Sequence, residues 1–295
     1  MASEQLRRLA RRFCIDELAD AMVYRALAER EVDPHRRRLL ETLAEQEMRH
    51  HEFWRRIAGG DCGSPPRPRI SLIAASYRLL GPVFTLRLLE RGEEETVKRY
   101  REVLPLLPPE QRRELEEIIR EEEEHEEKLL SEMRDARVKY LGYIALGLAD
   151  AIVEVTGVHA GFLGATANTV VAGVAGLIVG FAAALSMAGA AYLQAKHGGE
   201  ESPAVSALVT GLSYLFSVVV LALPYFATHN MVAAFLASTA AGLALTGLFT
   251  YYSSVVQGKG FLREYGESAG LLLGTALGSY LFGELLGSLT GIRIG

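Results

Sequence analysis

The sequence predicts an all-α chain in two parts, a soluble bundle of four amphipathic helices over residues 1–137 followed by a membrane domain of five helices over 138–295. Two observations carry this reading. Charge is segregated: residues 1–139 hold 27 of the 31 Lys and Arg and 29 of the 36 Asp and Glu, leaving four basic and seven acidic residues in the last 156 positions. A soluble surface averages about a quarter charged residues, so the second part is no such surface, and its Gly, Ala, Leu and Val suit helices packed in lipid. The second observation is period. The first part alternates apolar and charged residues at helical spacing, whereas the second runs apolar for more than twenty residues at a time.

Helix A spans 4–31, with an apolar stripe through Leu6, Leu9, Phe13, Leu18, Met22 and Leu27. Its Arg7, Arg8, Arg11 and Arg12 read as a solvated face, anionic lipid being the alternative partner. Asp33-Pro34 supplies an N-cap and a first-turn proline, and helix B runs from there to about 58, where Gly59-Gly60 ends it. A Pro/Gly linker leads to a short amphipathic segment at 70–80, Gly81-Pro82 opens helix C to about Val103, and Pro105 to Pro109 separates it from helix D, which runs towards Lys139. Four helices with one long B–C connection fit a ferritin-like bundle. Cys14 and Cys62 have no metal-type spacing; they read as reduced thiols without a role. The N-terminus reads as a charged helix, not a signal peptide. Both parts are close to neutral, so nothing favours nucleic acid as a partner and none is expected.

The chemistry lies in acids and imidazoles at matched positions. Helix B carries Glu47-Met48-Arg49-His50 and helix D carries Glu122-Glu123-Glu124-His125. A spacing of three puts both side chains of each Glu-x-x-His on one helix face, where they can hold one metal ion together. Helix A adds Glu17 with Tyr24 seven residues on, and helix C adds Glu93 with Tyr100 seven residues on, Glu90 being the alternative ligand one turn earlier. Four carboxylates and two imidazoles suit a dinuclear site for Fe2+, with Mn2+ as the alternative. Without a metal, four converging acids would repel and lose their hydration. His51, Glu121, Glu123, Glu124 and Glu126 read as surface residues.

On these residues the stretch 13–128 resembles the rubrerythrin branch of the ferritin-like family, through Glu17 and Tyr24, Glu47-x-x-His50, Gly92-Glu93 and Glu122-x-x-His125. The second helix-C glutamate of that branch, three residues after the first, is Thr96 here. The resemblance implies Fe2+ binding, and ferroxidase or peroxidase chemistry as an alternative activity.

Five apolar stretches follow, at about 141–163, 169–194, 204–226, 231–256 and 267–290. Each is long enough for a bilayer core of about 30 Å at 1.5 Å rise per residue. Arg134, Arg137 and Lys139 precede the first, Lys196 lies between the second and third, and Lys259 and Arg263 lie between the fourth and fifth. The positive-inside rule then predicts a multi-pass protein of the cell membrane with its N-terminal domain in the cytosol and its C-terminus outside. Gly266, Gly270, Gly274 and Gly278 form a small-residue stripe of the kind that lets helices approach closely. The first span holds Asp150 and Glu154 on one face; acids within a membrane normally line a polar path. His159, on the face opposite Asp150, is read as packed or near the outer mouth, and Met187 of the second span as a soft ligand or a space-filler.

Residues 138–290 resemble the vacuolar iron transporter family, through Gly147-Leu148-Ala149-Asp150-Ala151 in the first span and Ser186-Met187 with Tyr192-Leu193 in the second. The family's glycine after the Asp is Ala151 here, and Glu154 stands where the family has an apolar residue. The resemblance implies a homodimer with its pathway at the subunit interface, past Asp150, Glu154 and Met187, and exchange of Fe2+ against protons. The family's helical domain between spans two and three has no room in the short connection from Gln194 to Pro203, and the N-terminal bundle takes its place, with Glu200 and Glu201 as a possible relay. The two parts together resemble the membrane-bound ferritin group. The expected function is therefore export of a divalent metal from the cytosol, with a membrane-anchored ferroxidase as the alternative.

Overall fold

The computed structural model describes the backbone of residues 2–65, 67–132, 136–165 and 168–290, and the side chains of these residues except 2–3, 67–69, 125–132, 136–137 and 290. Among the described residues the chain is helical, with no strand. It divides into two compact units, Met1–Asp135 and Ala136–Gly295.

In the first unit, α1 (Ala2–Ala28) packs along α2 (Pro34–Ala58), α3 (Arg67–Leu79) bridges α1 and α4 (Pro82–Val103), and α5 (Pro109–Glu132) packs on α4. The helix ends follow local chemistry. Asp33 caps α2 by accepting from the amides of His35 and Arg36 at 2.8 and 3.0 Å, and Pro34 fills the first turn, where no donor is needed. Gly59 closes α2 at φ 85°, a left-handed conformation that glycine adopts without strain. Helix α1 stops at Ala28, three residues short of the expected end, because the Glu31 carboxylate takes the amides of Val32 and Asp33 and ties the turn to Arg36 and Tyr77. Helix α5 is described to Glu132 and α6 over Ala136–Lys139; the expected run of one helix to Lys139 passes through residues 133–135, which lie outside the described residues.

Two apolar clusters hold this unit. One joins α1, α2, α4 and α5 around Phe13, Trp54 and Tyr100, whose rings lie 4.7–4.9 Å apart by centroid. The other joins α1, α2, α3 and α4 around Tyr24, Leu27, Leu40, Tyr77 and Leu89. Glu17 on α1 and Glu47 and His50 on α2 fall between the two clusters along both helices.

The cysteines differ from the expected reduced pair: Cys14 and Cys62 form a disulfide across 48 residues, joining α1 to the linker after α2. His51 is buried rather than exposed, and its Nδ1 donates to the Cys14 carbonyl at 2.8 Å. Spacing alone missed this because the α1–α2 turn returns the chain to the level of Cys14.

In the second unit, α7 (Leu141–Ala165), α8 (Thr169–His197), α9 (Pro203–Ala227), α10 (Met231–Gln257) and α11 (Phe261–Thr290) are each long and apolar enough to cross a membrane. The protein is thus a candidate multi-pass membrane protein. Helix α11 starts six residues before the expected fifth span. Its first turns are charged and hold an Arg263–Glu267 pair at 3.1 Å, so hydropathy marks the apolar part and not the helix. Helix α7 is the hub and packs on all four others. Its contact with α9 is backbone to backbone: a Cβ added at Gly147 would lie 2.3 Å from the Thr210 carbonyl oxygen. The predicted stripe behaves differently. Among the described residues nothing lies within 4 Å of a Cβ added at Gly266, Gly270, Gly274 or Gly278, so there these glycines make no close helix contact.

Candidate metal centre

Glu17, Glu47, His50 and Glu122 are all buried and converge from α1, α2 and α5, with one ligand atom of each within 4.8 Å of the others. The geometry centres on His50. Its Nδ1 lies 2.8 Å from Glu122 Oε1, 3.7 Å from Glu47 Oε2 and 3.9 Å from Glu17 Oε2. Its Nε2 donates to Glu121 Oε2 at 3.0 Å, and Arg49 meets the same oxygen at 3.3 Å. Glu121, read from the sequence as a surface residue, therefore orients the imidazole. Its signal was its place beside Glu122, which reads equally well as solvated charge.

Burial sets the electrostatics. Glu17 is held above the usual carboxylate range by loss of hydration and by Glu122, against the hydrogen bonds of Glu47 and Tyr100. Glu47 is raised further, by burial and by the charges of Glu122 and Glu17. Burial alone would lower His50, but hydrogen bonding to Glu122 and the charges of Glu17 and Glu122 outweigh it and push the ring up to about 9. In the metal-free protein an imidazolium thus occupies the middle of an acidic cage. A divalent cation answers the same need with more charge, and three carboxylates with one imidazole suit such an ion. The described residues fit a metal on this chemistry.

Glu93 lies outside the tight group of four. Its carboxylate accepts from Tyr24 at 2.9 Å, and among the described residues its second oxygen, buried, has no hydrogen-bond partner. Burial raises Glu93, helped by Glu90, Glu122 and Asp20. Glu90 is itself buried, and both residues line a cavity of about 210 Å³ whose wall includes Glu122. The two helix-C alternatives thus share one space. The tyrosines cross over: Tyr24 of α1 bonds Glu93 of α4, while Tyr100 of α4 bonds Glu17 of α1. Each Glu-x6-Tyr helix therefore supplies a carboxylate to one partner and a phenol to the other. His125 lies on α5 one turn after Glu122; its side chain, like that of Glu126, is outside the described residues.

In the second unit the pathway candidates separate. Asp150 is exposed on the surface of α7. Glu154 is half-buried and accepts from Tyr214 of α9, a partner that sequence reasoning missed because Tyr214 sits in an otherwise apolar span. Met187 packs on the apolar cluster of Ala151, Ala184 and Tyr214. Of the relay candidates, Glu200 accepts from Tyr143 at 2.6 Å and Ser206 at 3.2 Å, whereas Glu201 is exposed and 3.7 Å from Lys139. His159 is fully buried.

Comparison of the chain with protein-family models, with characterised proteins and with solved structures finds no match. Sequence and geometry together define the class: an all-helical candidate multi-pass membrane protein whose first unit contains a buried Glu/His cluster able to hold a metal ion.

Proposed function

We propose that this protein exports a divalent metal, Fe2+ or Mn2+, from the cytosol by exchange against protons. In this reading the first unit is a ferritin-like bundle that captures or senses the ion. The observation that carries the reading is the buried cage of Glu17, Glu47, His50 and Glu122, with ligand atoms within 4.8 Å of one another. A set of acids raised by burial is poorly stable without a cation and is relieved by one. Glu90, Glu93 and His125 are the residues that would hold a second ion beside the first.

Two features of the second unit support transport. A plain anchor needs one span, and this unit has five candidates. A carboxylate on the lipid-facing surface of a span is costly, yet Asp150 is exposed on α7. A second copy of the chain covering that face would enclose Asp150 and place it on a path between subunits. There a carboxylate binds cargo when ionised and releases it when protonated, which couples metal to protons. The hydroxyl of Tyr214 holds Glu154 in place on the same helix. The lysines and arginines flanking the spans support a cytosolic bundle in the cell membrane.

The test is metal flux into proteoliposomes that contain a metal-quenched dye. Wild-type protein should quench the dye and move protons in the opposite sense; Asp150→Ala should do neither, with the bundle's metal binding intact. Flux that persists in Asp150→Ala overturns the pathway. Oxygen-dependent iron oxidation with no flux in the wild type would make the chain an anchored ferroxidase instead.

A further inference from the structure

The membrane unit buries a second set of polar groups, apart from the acids of α7. His159 of α7 is 0% exposed, and among the described residues neither ring nitrogen has a hydrogen-bond partner. Thr156, one turn earlier on the same face, is 1% exposed with its hydroxyl likewise unpartnered. From α9, Tyr225 lays its ring against the imidazole, centroids 4.1 Å apart and planes tilted 37°, and its hydroxyl too is buried without a partner. From α8 the backbone closes over the ring: a Cβ added at Gly176 would lie 2.3 Å from His159 Nε2.

Elsewhere among the described residues of this unit one buried polar atom, Thr239 Oγ1 on α10, is likewise unpartnered, while others are satisfied. Thr210 donates to the Tyr143 carbonyl, Ser238 to the Leu221 carbonyl and Tyr214 to Glu154. Unpartnered buried polar groups are rare because each forfeits its hydration, and three in one place are unlike a packing core. A leucine or phenylalanine would fill the same space without that penalty. The packing of α8 against the ring at Gly176 also leaves Nε2 little room for a metal ion with further ligands. A proton needs no such room.

We propose that His159 is a proton-binding latch, at which α8 closes over the neutral ring at Gly176 against Tyr225 of α9 and opens when the ring is protonated. The groups around it make the closed packing one for the neutral form. Tyr225 is the titratable group facing it from α9, α8 presents Gly176, and α7 itself presents Thr156. Helix α10 contributes Met231 and Ala234 to the apolar cluster around Tyr225. Helix α11 packs on the other side of α7, through Ser279 at Gly157 and Gly283 at Gly161. Glu154, five residues before His159, is taken by Tyr214. An imidazolium in this pocket would have two donors and, among the described residues, no acceptor within hydrogen-bond distance of either nitrogen, so charging the ring favours any arrangement in which α8 withdraws and water enters. The proposal stands on residues other than Asp150 and Glu154 and does not depend on metal passing them.

The test uses the full chain in lipid nanodiscs with 15N-labelled histidine, the His159 signals being assigned by their loss in His159→Gln. Between about pH 8 and about pH 4 the ring should pass from neutral to imidazolium. Over the same midpoint, protection of the α8 amides around Gly176 against hydrogen exchange, corrected for intrinsic rates, should fall by about tenfold or more. His159→Gln and His159→Leu should keep α8 protected throughout; the leucine variant guards against a glutamine that perturbs the fold by its own unmet amide. A ring that stays neutral over the whole range overturns the latch. So does a ring that titrates with no change in α8, or an opening that persists in either folded variant.

Discussion

Replacing Glu47 by glutamine separates the two things its carboxylate does. The side chain is 1% exposed, and it shares a cage with Glu17, Glu122 and His50. Its carboxyl is raised by burial first and then by Glu122 and Glu17. A carboxyl raised above its unfolded value contributes stability that is fully present below the unfolded value and lost as pH rises through the folded one. The metal-free bundle should therefore weaken on the alkaline side, and Glu47→Gln, which keeps the shape without the charge, should not. Relieving one buried like charge in a hydrogen-bonded site is worth about 1–3 kcal/mol. For a unit of this size that is a rise in midpoint of roughly 4–12 °C. Added metal should act in the opposite direction. At about a hundred times its dissociation constant, an ion stabilises the wild type by about 2.7 kcal/mol. Loss of one ligand should weaken binding by about tenfold or more and remove about 1.4 kcal/mol of that gain. Trp54 is the sole tryptophan of the chain and is fully buried in the bundle core, so its emission reports melting of this unit. The measurement is a set of Trp54 melts at about pH 8, with chelator and with Mn2+. If Glu47→Gln melts below the wild type in chelator, or keeps the full metal-induced shift, the four residues are not a cation cage.

Three further outcomes follow from the same geometry. Because His50 is held at about 9, a bound cation should displace close to one proton from it at neutral pH; titration calorimetry in buffers of different ionisation heat reads this directly, and a heat independent of buffer would refute it. Reducing the Cys14–Cys62 bond should cost the bundle about 2–4 kcal/mol, seen as a lower Trp54 midpoint that the double serine variant shows with or without reductant. Gly147→Ala, whose methyl would meet the Thr210 carbonyl oxygen, should destabilise the membrane unit by about 1–3 kcal/mol while leaving the Trp54 melt unchanged. Thermal aggregation of the detergent-solubilised protein checks it, and an unaltered profile would mean that α7 and α9 do not cross there.

Much of the architecture is written in local chemistry. Asp33-Pro34 and Gly59-Gly60 bracket α2 because a side-chain oxygen satisfies the first amides and a left-handed glycine ends the helix, and both effects act within four residues. The five apolar helices follow from hydropathy and length, and Glu47 and His50 share a face because 3.6 residues make a turn. The convergence of Glu17, Glu47, His50 and Glu122 depended on distances between helices, and the sequence supplied only the residue types.

What tertiary structure alone decided are the pairings between elements distant in sequence. Glu121 turns inward to His50 across 71 residues, Cys14 meets Cys62, and Tyr24 and Tyr100 each bond the carboxylate of the other's helix. Glycine stripes made the same point in reverse: a Cβ added along the regular one on α11 would meet no neighbouring helix among the described residues, while the unremarked Gly176 admits His159. Helical periodicity determines which residues share a face. Which faces meet, and at what height, is set by how the helices pack, and a one-dimensional pattern does not encode that directly.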